Sequence, residues 1–130
     1  MTTLVVTAAV VERDDAFLVT RRLTGTHLAG TWEFPGGKCE AGETLEACLV
    51  REMREELGVA CHVGQEIFTI SHDYADRRIR LHFFACTLEG EPRPQLGQAM
   101  QWVPRARLTD LEFPPADDEL IRLLAGTTAG

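Results

Sequence analysis

A chain of 130 residues, 45% hydrophobic and 25% charged, has the composition of one globular domain and excludes intrinsic disorder. At this length roughly two-thirds of the unfolded surface is buried on folding, so neither a disulfide framework nor a zinc staple is required. The net charge of −7 disfavours a nucleic acid polymer as partner, yet it is compatible with a small polyphosphate bridged to the protein by metal ions.

Residues 4–11 are apolar, β-branched and continuous, which predicts a buried strand ending at the polar turn Glu12-Arg13-Asp14-Asp15. Phe17 to Val19 predicts a second strand, with a hairpin between the two. Residues 24–30 carry two glycines and little periodicity and read as loop. Trp32-Glu33-Phe34 is a short strand running into Pro35-Gly36-Gly37, a triplet expected to break any regular element. A helix follows. Thr44 is its N-cap, and Glu43 and Glu46 lie near the positive end of its dipole. Leu45, Cys48, Leu49, Met53 and Leu57 form its buried stripe, and Gly58 stops it.

Residues 67–71 and 79–87 predict two more strands, and residues 90–97 a loop with two prolines. Residues 100–103 predict a last strand. Pro114-Pro115 starts a C-terminal helix through Leu124, with Leu120, Ile121, Leu123 and Leu124 facing the core. Strands and two helices alternate irregularly, which predicts a mixed sheet covered by helices and one domain over residues 1–130. Cys39, Cys48, Cys61 and Cys86 fit no zinc spacing and read as reduced thiols of a cytoplasmic protein. The four histidines, His27, His62, His72 and His82, show no paired metal spacing and read as structural or solvent-facing. The start of the chain has no secretory-signal pattern, and no stretch approaches the ~20 apolar residues of a membrane span.

The chemistry concentrates in the predicted helix. Glu52, Glu55 and Glu56 stand at i, i+3 and i+4 and share one face. Three neighbouring carboxylates repel one another, and a cation among them relieves the repulsion. Mg²⁺ suits the place because it takes hard oxygen ligands and is shared between a few carboxylates and substrate phosphates. A solvated acidic face supported by Arg51 and Arg54 is the plainer alternative. Just ahead, Gly36-Gly37-Lys38 combines close backbone approach with a cation for phosphate. Arg51 lies eight residues after Glu43 and is within reach of it as a scaffold pair that holds loop against helix.

The run Gly37, Glu43, Arg51, Glu52, Met53, Glu55, Glu56, Gly58, Val59 resembles the Nudix box, G-x5-E-x7-R-E-U-x-E-E-x-G-U with U apolar, and matches it at every fixed position. Thr20-Arg21-Arg22, Trp32 to Lys38, Asp76-Arg77 and Phe113-Pro114-Pro115-Ala116-Asp117 extend the resemblance toward the MutT group. The resemblance implies an α/β/α sandwich with a mixed sheet between helices. It also implies a pyrophosphohydrolase that uses Mg²⁺ (or Mn²⁺) to cleave 8-oxo-dGTP to the monophosphate and pyrophosphate. Carried over, Glu52, Glu55, Glu56 and the Gly36 carbonyl are metal ligands, and Arg51 and Glu43 complete the catalytic set. Arg22, Phe34, Gly37, Lys38, Tyr74, Arg77 and Asp117 are expected to bind the nucleotide, in a monomer or homodimer.

Two positions depart from the pattern. Asp117 stands where MutT proteins have an asparagine that reads the oxidised guanine. An ionised Asp only accepts hydrogen bonds, whereas Asn also donates, so a CTP-like or other nucleoside-diphosphate-linked substrate is the alternative. Capping of the last helix is the plain alternative for the residue itself. Leu96 falls where relatives place a catalytic glutamate, with Glu89 or Glu91 as substitutes. That loss is the one feature favouring a nucleotide-sensing module without turnover. Trp32 is expected in the core rather than as a base platform.

Overall fold

The structure, a computed structural model, describes residues 2–26 and 28–126. His27 therefore lies outside the described residues. The first strand, β1 (Thr2–Arg13), turns into β2 (Ala16–Arg21) through Asp14 and Asp15, both at positive φ (52° and 62°). A two-residue turn of this hand matches the twist of the paired strands, and Asp tolerates it better than most residues. The remaining elements are β3 (Trp32–Glu33), β4 (Gly36–Lys38), α1 (Leu45–Leu57), β5 (Ala60–Tyr74), β6 (Arg77–Glu89), β7 (Met100–Pro104) and α2 (Asp118–Gly126). Short 3-10 turns cover Arg105–Asp110 and Pro115–Asp117.

The sheet runs β3-β2-β1-β6-β5, with β4 also paired to β1 and β7 to β2. β1 and β6 are parallel from Thr2↔Arg77 to Val11↔Cys86 and the other pairs are antiparallel, so the sheet is mixed. Helices cover both faces. Ala8 and Val10 of β1 point into a core with Phe83, Phe113, Leu120 and Ile121 on the α2 side. Ala9 and Val11 point into a second core with Leu49, Met53, Leu57 and Phe84 on the α1 side. A strand covered on both faces reads as an unbroken apolar run, which is the physical origin of the pattern at residues 4–11. The expected α/β/α sandwich is therefore the fold. No helix among the described residues is long and apolar enough to cross a membrane.

Helix α1 begins and ends as its sequence dictates. Thr44 Oγ1 accepts from Ala47 N (3.1 Å), and Gly58, at φ 60°, donates its N–H to Arg54 O. The loop after β6 completes the cap. Arg93 N donates to Leu57 O (2.8 Å), and Gln95 N and Gln98 Nε2 both donate to Glu56 O (2.8 and 3.1 Å). Carbonyls orphaned at a helix end are thereby satisfied, and the turn that carries Glu55 and Glu56 is fixed.

Four expectations are corrected. Gly36-Gly37 does not break the structure: Gly36–Lys38 is a strand in register with β1, Ala8↔Gly36 and Val6↔Lys38. A Cβ on Gly36 would sit 2.0 Å from Thr7 O, so only glycine lets these backbones pair. Residues 67–71 lie inside a longer strand, Ala60–Tyr74, whose register shifts between Val63 and Phe68, and Ile67 there is 41% exposed. Leu123 is 50% exposed and faces away from the core. Asp117 does not cap α2, since its carboxylate makes no hydrogen bond to the first N–H groups of that helix among the described residues; it sits in the preceding 3-10 turn. The histidines behave as expected where described. His62 pairs with Glu89, His82 with Glu66, and His72 packs on Tyr74. All four cysteines are free.

Helix α2 is tied down by one arginine. Arg105 donates to Asp15 Oδ1 (2.8 Å), Glu12 Oε2 (2.7 Å) and Leu124 O (2.8 Å), and its guanidinium lies 4.8 Å from the Phe17 ring. It joins the β1–β2 turn to the C-terminal end of α2. Arg105→Ala is expected to lower stability by about 2 kcal/mol, because it leaves polar groups unpaired and an α2 carbonyl uncapped. A urea denaturation curve with unchanged slope and a lower midpoint checks this.

Candidate active site

The Nudix-box segment is held together before any ligand arrives. Arg51 donates from Nε to Glu43 Oε2 (2.7 Å) and from Nη2 to Glu43 Oε1 (2.9 Å), a two-pronged pair. Its Nη2 also reaches Lys38 O (3.2 Å), and its Nη1 reaches Glu52 Oε1 (2.9 Å) and Glu55 Oε2 (3.2 Å). The Arg51 guanidinium, by hydrogen bonding first, holds the Glu43 carboxyl down at about 2. Neither Arg51 nor Glu43 lines the main cavity. They form the scaffold that the spacing implied, locking the end of β4 and its loop onto α1.

A cavity of about 480 Å³ opens on the α2 side of the sheet, lined by Glu52, Glu55 and Glu56 together with Gly36, Gly37 and Lys38. Gly37 is where glycine is indispensable for the approach: a Cβ there would lie 2.2 Å from the Glu52 carboxyl carbon. Gly37→Ala is therefore expected to fold, since the obstacle is a side-chain end, but to displace Glu52. Displacements of that size cost roughly a hundredfold in rate, to be read as pyrophosphate release beside an unchanged thermal melt.

The three glutamates differ. Glu55 is exposed and half-held by Arg51. Burial raises the Glu52 pKa, and Arg51 opposes the rise. Glu56 is the extreme case: burial, then the neighbouring Glu33 and Glu52 carboxylates, push it up to about 8. Its Oε2 is buried without a hydrogen-bond partner among the described residues. A buried carboxylate oxygen left in this state is costly unless a proton or a cation meets it. Among the described residues, no group of three or more His, Cys, Asp or Glu side chains forms a ready-made cage. The glutamate oxygens and the Gly36 backbone are hard oxygen donors, the kind a divalent cation takes together with waters and substrate oxygens. The residues present fit it.

Away from the glutamates the cavity changes character. Leu4, Val6, Ile79 and Leu81 make an apolar floor, Arg22, Tyr74, Arg77 and Asp117 supply polar groups, and Glu33 lies close enough to both Glu56 and Asp117 to raise each. Charge couplings order these residues. Beyond burial, the largest cause in each case, Glu33 raises both Glu56 and Asp117, and Asp117 in turn raises Tyr74. Arg22 Nη1 donates to Glu33 Oε1 at 2.8 Å, so its guanidinium is already engaged. Asp117 is 5% exposed, and burial first, then Glu33 and Asp118, push it up to about 7. Arg77 Nε is buried with no hydrogen-bond partner among the described residues, though it lies 3.7 Å from Asp76 Oδ1 as an ion pair.

Of the expected nucleotide-binding residues, Arg22, Gly37, Lys38, Tyr74, Arg77 and Asp117 all reach this cavity. Phe34 reaches it too, but chiefly as core, 3% exposed, stacked on Phe113 and edge-on to Phe83. Trp32 packs against the core beneath Arg21, away from the cavity, as expected. Leu96 lines the cavity, whereas Glu89 and Glu91 do not; they pair with His62 and Arg13. They are thus no substitute for a glutamate at Leu96. Glu33 and Leu28 line the cavity without belonging to any expected binding set. Glu33 carried one faint signal, an acid set between two aromatic residues in a short strand.

Helices on both faces of a mixed sheet, with helix-borne carboxylates facing a glycine-bearing strand across a deep cleft, define an α/β/α protein with an acidic ligand cleft. Residues 6–123 match the NUDIX domain family. The chain belongs to that family. It is 38% identical over 114 residues to the 8-oxo-dGTP diphosphatase of Escherichia coli K12, covering 87% of this chain and 88% of the relative. It is 35% identical over 117 residues to the CTP pyrophosphohydrolase of the same organism, covering 89% and 87%. The solution structure of the E. coli ORF135 protein superposes with a TM-score of 0.81 at 35% identity, over 95% of this chain and 87% of that one.

Proposed function

We propose that this protein is a Mg²⁺-dependent nucleoside triphosphate pyrophosphohydrolase that releases a monophosphate and pyrophosphate, with 8-oxo-dGTP as its substrate. The observation that carries the reading is the buried, unpartnered Glu56 Oε2 at one end of a cleft whose other end is apolar with a polar rim. The first end suits a cation and phosphates; the second suits a nucleobase. In this reading Glu52, Glu55, Glu56 and the Gly36 carbonyl hold a divalent cation, with Mn²⁺ able to replace Mg²⁺. Bound there, the ion neutralises polyphosphate charge and activates water.

The chain's own groups do the rest. Arg51 and Glu43 keep the loop on α1, and Lys38 meets a phosphate at the exposed edge of β4. Glu52 and Glu56 are the two carboxylates assigned to take a proton from water, as a pair rather than one by one, because neighbouring carboxylates share their titration. Tyr74 and Arg77 flank the nucleobase, and Asp117 reads its edge. Four free thiols and a nucleotide substrate support a cytoplasmic setting for the reaction.

Asp117 also favours a second reading. An ionised carboxylate accepts a hydrogen bond from the amino group of cytosine, which makes CTP and 5-methyl-dCTP the competing substrates. The test is incubation of purified protein with Mg²⁺ and dGTP, 8-oxo-dGTP, CTP, 5-methyl-dCTP, ADP-ribose and diadenosine polyphosphate, with products separated by ion exchange. Monophosphate and pyrophosphate from 8-oxo-dGTP, well above dGTP, support the first reading. Preferential cleavage of cytidine nucleotides supports the second. No hydrolysis with either metal refutes both and leaves a sensing module.

A further inference from the structure

Three residues other than glycine hold a positive φ among those described: Asp14, Asp15 and Leu28. The two aspartates have a local reason, the tight β1–β2 turn. Leu28, at φ 57°, has none of the usual ones. Its side chain has no polar atom with which to bond its own backbone, and an L-residue of this bulk is an outlier in the left-handed region.

The loop around it demands the backbone shape. Thr31 N and Oγ1 both donate to Leu28 O (3.2 and 2.8 Å), Ala29 N donates to Thr26 O, and Gly30 N donates to Arg22 O (3.1 Å). Glycine or asparagine at position 28 would make the same backbone bonds with less strain. The loop's hydrogen bonds therefore do not explain a leucine. Core packing does not explain it either. Leu28 is half-buried, yet it belongs to neither hydrophobic core and packs against neither. What it does line is the cleft, on the loop rooted at Arg22. Strain at an outlier that faces a cavity points to function at that cavity.

We infer that Leu28 is a specificity-determining residue, an apolar wall that packs on the nucleoside part of the substrate. The inference rests on the nucleotide reading above. An aliphatic side chain gains nothing beside phosphate but gains from covering a base or sugar face. Leu28 would thus close the cleft opposite the floor of Leu4, Val6, Ile79 and Leu81, and its contribution falls on binding rather than on the chemical step.

Leu28→Ala keeps the strain and removes the wall; Leu28→Gly removes both; Leu28→Met retains the bulk. For the nucleotide the wild type cleaves best, the Ala and Gly variants should raise KM about tenfold with a much smaller change in kcat, and Met should stay near wild type. Calorimetric titration with 8-oxo-dGMP, or CMP if cytidine nucleotides are preferred, should show the same weakening. Thermal melts should separate strain from contact, with the Gly variant melting at or above wild type and the Ala variant not. Wild-type KM and monophosphate affinity in the Ala variant, with the parent enzyme active, would overturn the wall and leave the nucleotide reading standing. Equal losses of Tm and kcat in Ala and Gly would make Leu28 a folding residue and overturn it as well. A wild type that neither cleaves nor binds any nucleotide sinks the reading and this inference together.

Discussion

Glu56→Gln will reduce turnover by about a hundred- to ten-thousand-fold, the range expected when a positioned carboxylate that orients or deprotonates the attacking group is lost. The same substitution will stabilise the protein in the absence of metal. Burial pushes the Glu56 carboxyl from 4.5 up to about 8, so the fold favours its neutral form. The stability conferred by that preference is complete below the unfolded value and is lost as pH rises through about 8. Glutamine is neutral throughout. In EDTA, the variant should therefore melt above wild type at pH 9, with the gap closing toward pH 5. Added Mg²⁺ should reverse the order by stabilising the wild type more than a variant that has lost one carboxylate of the set. A variant that is inactive and also less stable at pH 9 in EDTA would show that Glu56 serves the fold rather than the reaction.

This opposition of stability and activity explains why the glutamate helix was legible in sequence. Three carboxylates on one face beside a Gly-Gly-Lys turn make a poor choice for folding alone, and residues that oppose folding advertise function. The local signals were equally clear: the Thr44 cap, the Gly58 stop and the buried stripe all formed as patterned. What failed was long-range. β4 was hidden because two glycines read as a break, and only pairing with β1 makes a strand of them. The length of β5 was hidden by the polar stretch at Gly64 to Glu66, which shifts register without ending the strand. Leu28 belongs to no motif, and Glu33 lies in the Trp32 to Lys38 run without standing out there, because the cleft position of each comes from β3 and the loop after β2. Leu123 is exposed because a helix that packs on one side leaves part of any apolar run in solvent.

Asp117→Asn is expected to change how base choice responds to pH. Burial, then Glu33 and Asp118, push the Asp117 carboxyl from 3.8 up to about 7. Below that value the neutral acid both donates and accepts; above it the carboxylate only accepts. The edge of 8-oxoguanine offers a donor at N7 and an acceptor at O6, so it suits the neutral acid or an asparagine. The cytosine amino group suits the carboxylate. The preference for 8-oxo-dGTP over CTP, taken as a ratio of kcat/KM, should fall about tenfold between pH 6 and pH 8.5 in the wild type, the effect of one hydrogen bond. The asparagine variant should hold the ratio at its low-pH value throughout. Stability supplies an independent reading with a fixed sign. A raised carboxyl pKa means that the fold's preference for the neutral acid is fully expressed below pH 3.8 and lost as pH rises through about 7. The asparagine variant should therefore gain stability relative to wild type with rising pH. A rise from 3.8 to about 7 bounds the gain at about 4 kcal/mol, and relaxation of the cleft should bring it nearer 2. A ratio flat with pH in both proteins, alongside a stability difference that does grow with pH, would show that Asp117 is buried as inferred but does not read the base. Discrimination would then have to come from Glu33 and its arginine partner.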